Sequence, residues 1–187
     1  MSDLALTSFP LRASRVHEAG GPSAICLAAA AAAPVQGSLW IREKWLPGGI
    51  NPDGMGVYVD QSSLLLAQTA NQTDSLGVAE EALRDGSLPL VVITLTAPIG
   101  LTVGRRLQLA AQAGNSTGLC LIGEGMGSNA AETRWECAPA PVPDVSADDA
   151  GLQLWQLLKN KSGTTGAWLV RWDPSAMQIV VVSKAAI

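Results

Sequence analysis

Between Arg15 and Arg42 the chain carries neither lysine nor arginine. A phosphate-binding site in that stretch would have no cation of its own. Histidine is nearly missing too: His17 is the single one, and Cys26, Cys120 and Cys137 are far apart, with no Cys-x-x-Cys pair. A metal centre of the usual nitrogen and sulfur ligands has nothing to be built from. Unclustered cysteines among apolar neighbours read instead as small buried hydrophobes in a reducing compartment. No apolar run approaches the roughly 18 residues that a membrane-spanning helix requires. Arg12 and Arg15 do precede an apolar run that ends in Ala31-Ala32-Ala33-Pro34. His17, Glu18 and a Gly-Gly-Pro turn interrupt the approach, however, and alanine is only weakly hydrophobic. A helix inside a cytoplasmic domain is therefore expected, not a secretory leader.

What is present suffices for a core. The chain has 187 residues, of which 48% are hydrophobic and 15% charged. A single domain, 1–187, of that size buries roughly 70% of the surface its unfolded chain exposes. Six tryptophans stand against one tyrosine and one phenylalanine. Five of them (Trp40, Trp135, Trp155, Trp168 and Trp172) fall in predicted strands and are expected in the core; an exposed tryptophan would be an anchor for a partner. A net charge of −4 argues against strong autonomous DNA binding, which draws most of its affinity from phosphate neutralisation. Residues 159–187 are locally basic, with Lys159, Lys161, Arg171 and Lys184 against Asp173.

The order of patterns predicts an α/β fold. VHEAGGPS and the alanine run after it read as strand, turn and helix, with Pro22 starting the helix. SLWIRE (38–43) is a strand, 44–56 a Pro- and Gly-punctuated loop, and VYVDQ (57–61) the next strand. DSLGVAEEALRD (74–85) is amphipathic through Leu76, Ala79 and Leu83, with Asp74 as N-cap and Gly86 past its end. PLVVITLT (89–96) is a strand covered on both faces. A second helix is capped by Thr102, buries Val103, Leu107, Ala110 and Ala111, and has Gly114 as its C′ residue. TGLCLIG (117–123) closes a parallel βαβ winding. The parallel core spans about 14–137, through the strand TRWECA. A Pro- and Asp-rich flexible loop comes next at 138–151, and an antiparallel strand extension at 152–187, its turns at SGTTG and DPSA. In GAWLVRW, Trp168, Val170 and Trp172 share one face of the strand.

A strand-turn-helix of this kind is where a P-loop protein holds its nucleotide, in Gly-x-x-x-x-Gly-Lys-Ser/Thr. Counting from Gly21, the last three positions hold Cys26, Leu27 and Ala28. The buried strand LVVITLT also lacks a terminal acid for magnesium. GEGMGSNA (123–130) begins as a dinucleotide fingerprint, but Ser128 stands where the third glycine belongs and no helix pattern succeeds it. His17 beside Glu18 reads as a strand-end residue hydrogen-bonded in place, and Glu43 as a base only in an active relative. No catalytic, nucleotide-binding or metal residue and no cofactor is expected. An active NTPase is the remaining enzymatic alternative.

Arg105-Arg106-Leu107-Gln108-Leu109-Ala110-Ala111, Thr133-Arg134-Trp135 and Gly166-Ala167-Trp168-Leu169-Val170-Arg171-Trp172 give the chain, over about 14–173, a resemblance to the RecA-like proteins called ImuA. Lys159-Asn160-Lys161 also resembles the Lys-Asn-Lys of RecA, an element that reaches toward a neighbour's nucleotide in RecA filaments. That role is not carried over to a chain without a nucleotide site. The resemblance implies a RecA-like fold and an accessory role in SOS-induced translesion DNA synthesis. The implied partners are an ImuB-type polymerase-like protein and an error-prone C-family DNA polymerase. Arg105 and Arg106, off the apolar stripe of their helix, and Arg171, on a C-terminal edge strand, are the candidate partner-binding residues. A SulA-type cell-division inhibitor, also RecA-like without a P-loop, is the second reading.

Overall fold

The computed structural model describes residues 6, 8–140 and 151–185. The described residues form one nine-stranded sheet in the order β3-β2-β4-β5-β1-β6-β7-β8-β9. Its parallel half comprises β1 (Val16–Gly20), β2 (Ser38–Glu43), β3 (Leu64–Thr69), β4 (Leu90–Thr94), β5 (Thr117–Leu121) and β6 (Thr133–Pro139). Strand β6 runs parallel to β1 and antiparallel to β7 (Gln153–Asn160). It is thus the seam between the two halves. Strands β8 (Gly166–Asp173) and β9 (Gln178–Lys184) complete an antiparallel meander. The expected parallel α/β core with antiparallel C-terminal strands is the fold observed; most of the predicted flexible loop, residues 141–150, lies outside the described residues.

The two faces have separate cores. Helix α1 (Ala24–Ala32) packs against β1, β4, β5 and β6. Most of its alanines are buried on this face, where Leu27, Trp135, Trp155 and Trp168 belong to the same core. Helices α3 (Gln72–Asp85) and α4 (Leu101–Ala113) cover the other face through Ala79, Leu83, Leu107, Ala110 and Ala111. A short helix α2 (Pro52–Met55) lies in the segment expected to be loop. Four of the five strand tryptophans are buried as expected (Trp40, Trp135, Trp155 and Trp168) and Trp172 is half-buried. Among the described residues, no helix is long and apolar enough to cross a membrane.

Several boundaries differ from expectation for local reasons. VYVDQ is not a strand: the N–H groups of Tyr58 and Val59 both bond back to the Met55 carbonyl, continuing the turn of α2. The partner of β2 is instead Leu64–Thr69. Helix α3 is capped by Asn71, whose side chain accepts from the Asp74 N–H, so Asp74 is inside the helix. Gly100 caps α4, which places Thr102 one residue inside it. At its end Gly114 has φ −89°, and the left-handed residue is Asn115. Helix α1 begins at Ala24 after Ser23, so Pro22 belongs to the turn.

Candidate functional site

Three residues connect β1 to α1, and their hydrogen bonds are turned inward. Gly21 is left-handed at φ +85°, a conformation that glycine adopts without steric cost. The Ser23 N–H donates to the Cys137 carbonyl of β6 at 3.0 Å, the Ala24 N–H to Gly21 O and the Cys26 N–H to Ser23 O. A side chain at Gly21 would begin 2.3 Å from the Cys137 carbonyl oxygen and 2.7 Å from Glu136 Oε1. One at Gly20 would begin 2.9 Å from Glu136 Oε2. A phosphate cradle needs N–H groups pointing at the ligand and a positive field. Here those N–H groups are largely taken, and a carboxylate stands over the two glycines.

Glu43, at the C-terminal end of β2, is buried at 4% exposure. Its Oε2 accepts from the Trp45 indole N–H at 2.6 Å and its Oε1 from the Thr96 hydroxyl. Both oxygens are therefore engaged in holding structure. Trp45 itself is 60% exposed, an oriented tryptophan that a strand-based reading passes over because it stands in a loop.

The glycines of 123–130 serve packing. A Cβ at Gly127 would lie 2.0 Å from the Arg134 guanidinium carbon, and one at Gly104 of α4 would lie 2.6 Å from the Ala130 Cβ. Arg134 passes over Gly127 to Glu18, donating from Nε at 2.8 Å. The Ser128 N–H donates to the other Glu18 oxygen, also at 2.8 Å. Lys159 donates to the carbonyls of Ser128 and Asn129, and Lys161 to that of Ala130. Burial, with the neighbouring charges of Lys161 and Arg134, lowers the Lys159 pKa. The two lysines hold the loop from one side as α4 closes it from the other. His17 is fully buried between Thr133 Oγ1 (2.7 Å) and the Arg12 carbonyl (2.9 Å).

The structure separates the three candidate arginines. Arg105 and Arg106 are exposed on α4, but Arg106 donates to Glu80 of α3 at 2.5 Å, sharing that carboxylate with Arg84. Arg105 has no ion pair among the described residues. Arg171 is exposed on β8, which is not an edge: β9 pairs outside it, with Arg171 opposite Val180. The edge assignment fails because MQIVVVS adds one more strand.

A cavity of about 620 Å³ opens on the α1 face where β2, β4 and β5 end, roofed by 46–58. Arg42 holds that roof by donating to the carbonyls of Leu46, Pro47 and Gly48 at 2.5, 3.2 and 2.6 Å. Tyr58 stacks on Trp172 with ring centroids 4.7 Å apart, and the Trp172 indole N–H donates to the Val57 carbonyl at 3.0 Å. Burial, then the neighbouring Cys26 as hydrogen-bond partner, pushes the Tyr58 pKa up to about 12. Burial likewise raises the Cys120 and Cys137 thiols, while Cys26 is half-buried at the cavity wall.

A twisted parallel sheet with α1 on one face and α3 and α4 on the other, extended by an antiparallel meander beyond β6, defines the RecA-like class of α/β folds. The solved structure of the RadB recombinase is similar to this chain with a TM-score of 0.63 and 14% identity, covering 89% of this chain and 90% of that one. That likeness establishes the fold alone. No family model matches the sequence, and no curated protein matches it.

Proposed function

We propose that this chain is a non-enzymatic RecA-like accessory protein of SOS-induced translesion DNA synthesis. It works through contacts with an ImuB-type polymerase-like protein and an error-prone C-family polymerase. The observation that carries the non-catalytic part is the β1–α1 turn. Its Ser23 N–H is bonded to β6, and Glu136 stands over Gly20 and Gly21. Like charge at the mouth of a helix disfavours a triphosphate, and the segment has no lysine or arginine to offset it. The translesion role rests on the resemblance in 105–111, 133–135 and 166–172. Arg105 is the candidate contact on α4, and Trp45, exposed and held by Glu43, has the character of an interface anchor.

The test is affinity capture of the tagged chain from its own cells after DNA damage, with mass spectrometry of the co-purifying proteins. Recovery of the polymerase-like protein or the C-family polymerase is expected. Recovery of the tubulin-like division protein would replace this reading with the SulA-type inhibitor, and recovery of neither would remove the translesion assignment.

A further inference from the structure

The cavity under residues 46–58 has the features of a ligand site of its own. Its volume, about 620 Å³, falls within the roughly 300–1,000 Å³ typical of small-molecule pockets. Its walls are fixed from both sides: Arg42 ties down three successive carbonyls of the roof, and the Tyr58–Trp172 stack holds the far end. Trp40 spends its indole N–H on Ser38 Oγ at 2.9 Å, leaving the cavity an apolar ring. Ile25, Met55 and Leu121 add apolar wall, and methionine adapts to irregular shapes.

Charge identifies the occupant. Among the described residues, Arg42 is the one lining residue that is charged at neutral pH, and no aspartate, glutamate or lysine lines the cavity. Its guanidinium donates to carbonyls, and no carboxylate lies within ion-pair distance of it among the described residues. Those bonds use three of the five guanidinium N–H groups. A full positive charge is thus held at an apolar cavity without a counter-ion, where a charge-assisted bond is strong. We propose that the cavity binds a small hydrophobic carboxylate, its acid head on Arg42 and its body against Trp40, Met55 and Ile25. Such a site is independent of the translesion role.

Two fluorescent probes test it: anilinonaphthalene sulfonate, an apolar aromatic monoanion, and phenylnaphthylamine, its neutral analogue. The anion is expected to bind one per folded chain, at least about tenfold tighter than the neutral probe, the size of a charge-assisted hydrogen bond. Medium-chain carboxylates should displace it. Arg42→Gln should erase the anion's advantage while leaving the neutral probe bound. Cys26→Phe fills the cavity without touching Arg42, and should abolish binding of both probes with the melting temperature kept. If Arg42→Gln does not fold, the wild-type preference for the anion and the Cys26→Phe result decide. Equal affinity for the two probes, unchanged binding in Cys26→Phe, or displacement by Mg-ATP but not by carboxylates would overturn the proposal.

Discussion

The backbone N–H of Ser23 donates to the carbonyl of Cys137 at 3.0 Å, fastening the turn before α1 to the strand at the seam of the sheet. Gly21 makes that approach possible, through its positive φ and its missing side chain. Gly21→Ala combines left-handed strain with a contact 2.3 Å from backbone. It should cost about 2–4 kcal/mol in denaturant unfolding. Gly125 is the control: its φ is +73° with nothing within 4 Å of a Cβ, so Gly125→Ala should cost only about 1 kcal/mol. Equal losses at the two sites would mean that β6 does not press on the turn.

His17 makes stability depend on pH. The Arg12 carbonyl can only accept, so Nε2 carries the proton and Nδ1 accepts from the Thr133 hydroxyl, which itself receives the Trp135 indole N–H. Burial, outweighing the raising effects of the Arg12 carbonyl and Glu132, lowers the ring's pKa from 6.5. The unfolded chain then binds the proton more readily than the folded one. The His17 contribution is complete above about pH 6.5 and declines as pH falls through the interval below it. Denaturant midpoints at pH 8 and pH 5 should differ less in His17→Gln than in the parent. An identical pH dependence would show that His17 is not the group responsible.

Glu18 is 1% exposed and accepts from Arg134 and from the Ser128 N–H. Removing Glu18 leaves the Ser128 N–H without its acceptor and the Arg134 guanidinium, one-quarter exposed, without its carboxylate, so Glu18→Ala should cost about 2 kcal/mol. It should also speed hydrogen exchange at Ser128. Unchanged exchange there would mean that the lysines and α4 hold the loop unaided.

Arg105 and Arg106 should behave differently although they are neighbours. Arg106→Glu places a carboxylate against Glu80, now bonded at 2.5 Å, and should lower the melting temperature slightly. Arg105→Glu meets no such partner and should leave stability unchanged while weakening capture of the proposed polymerase partner. Full capture by the Arg105 variant would discard this surface.

Where packing and pattern agree, the fold is legible in the sequence. LVVIT and TGLCL lie in covered strands, and Leu107, Ala110 and Ala111 form the buried stripe of a helix whose other side is exposed, so their apolar pattern reports their burial. Leu64–Thr69 escapes such a reading because it is an edge strand whose Leu65 and Leu66 are 51% and 59% exposed; nothing in its pattern marks an inward face. VYVDQ misleads because Tyr58 and Val59 are apolar for other reasons, one stacking on Trp172 and the other packing beside Met55. The candidate site is less legible. The absence of Walker residues can be counted, but Glu136 over Gly20 and the Arg42 grip on the cavity roof join segments distant in sequence or bond to backbone, and no local motif signals either. Trp45 stands in plain view as a loop tryptophan after a buried acid.

Titration calorimetry of the purified chain with Mg-ATP asks most directly whether a RecA-like fold here acts without nucleotide. No binding heat is expected with ATP in millimolar excess, and no protection of Cys26 from alkylation. Stoichiometric, magnesium-dependent binding at micromolar ATP would contradict a nucleotide-free role, because the turn from Gly20 to Ser23 would then have to open away from Cys137.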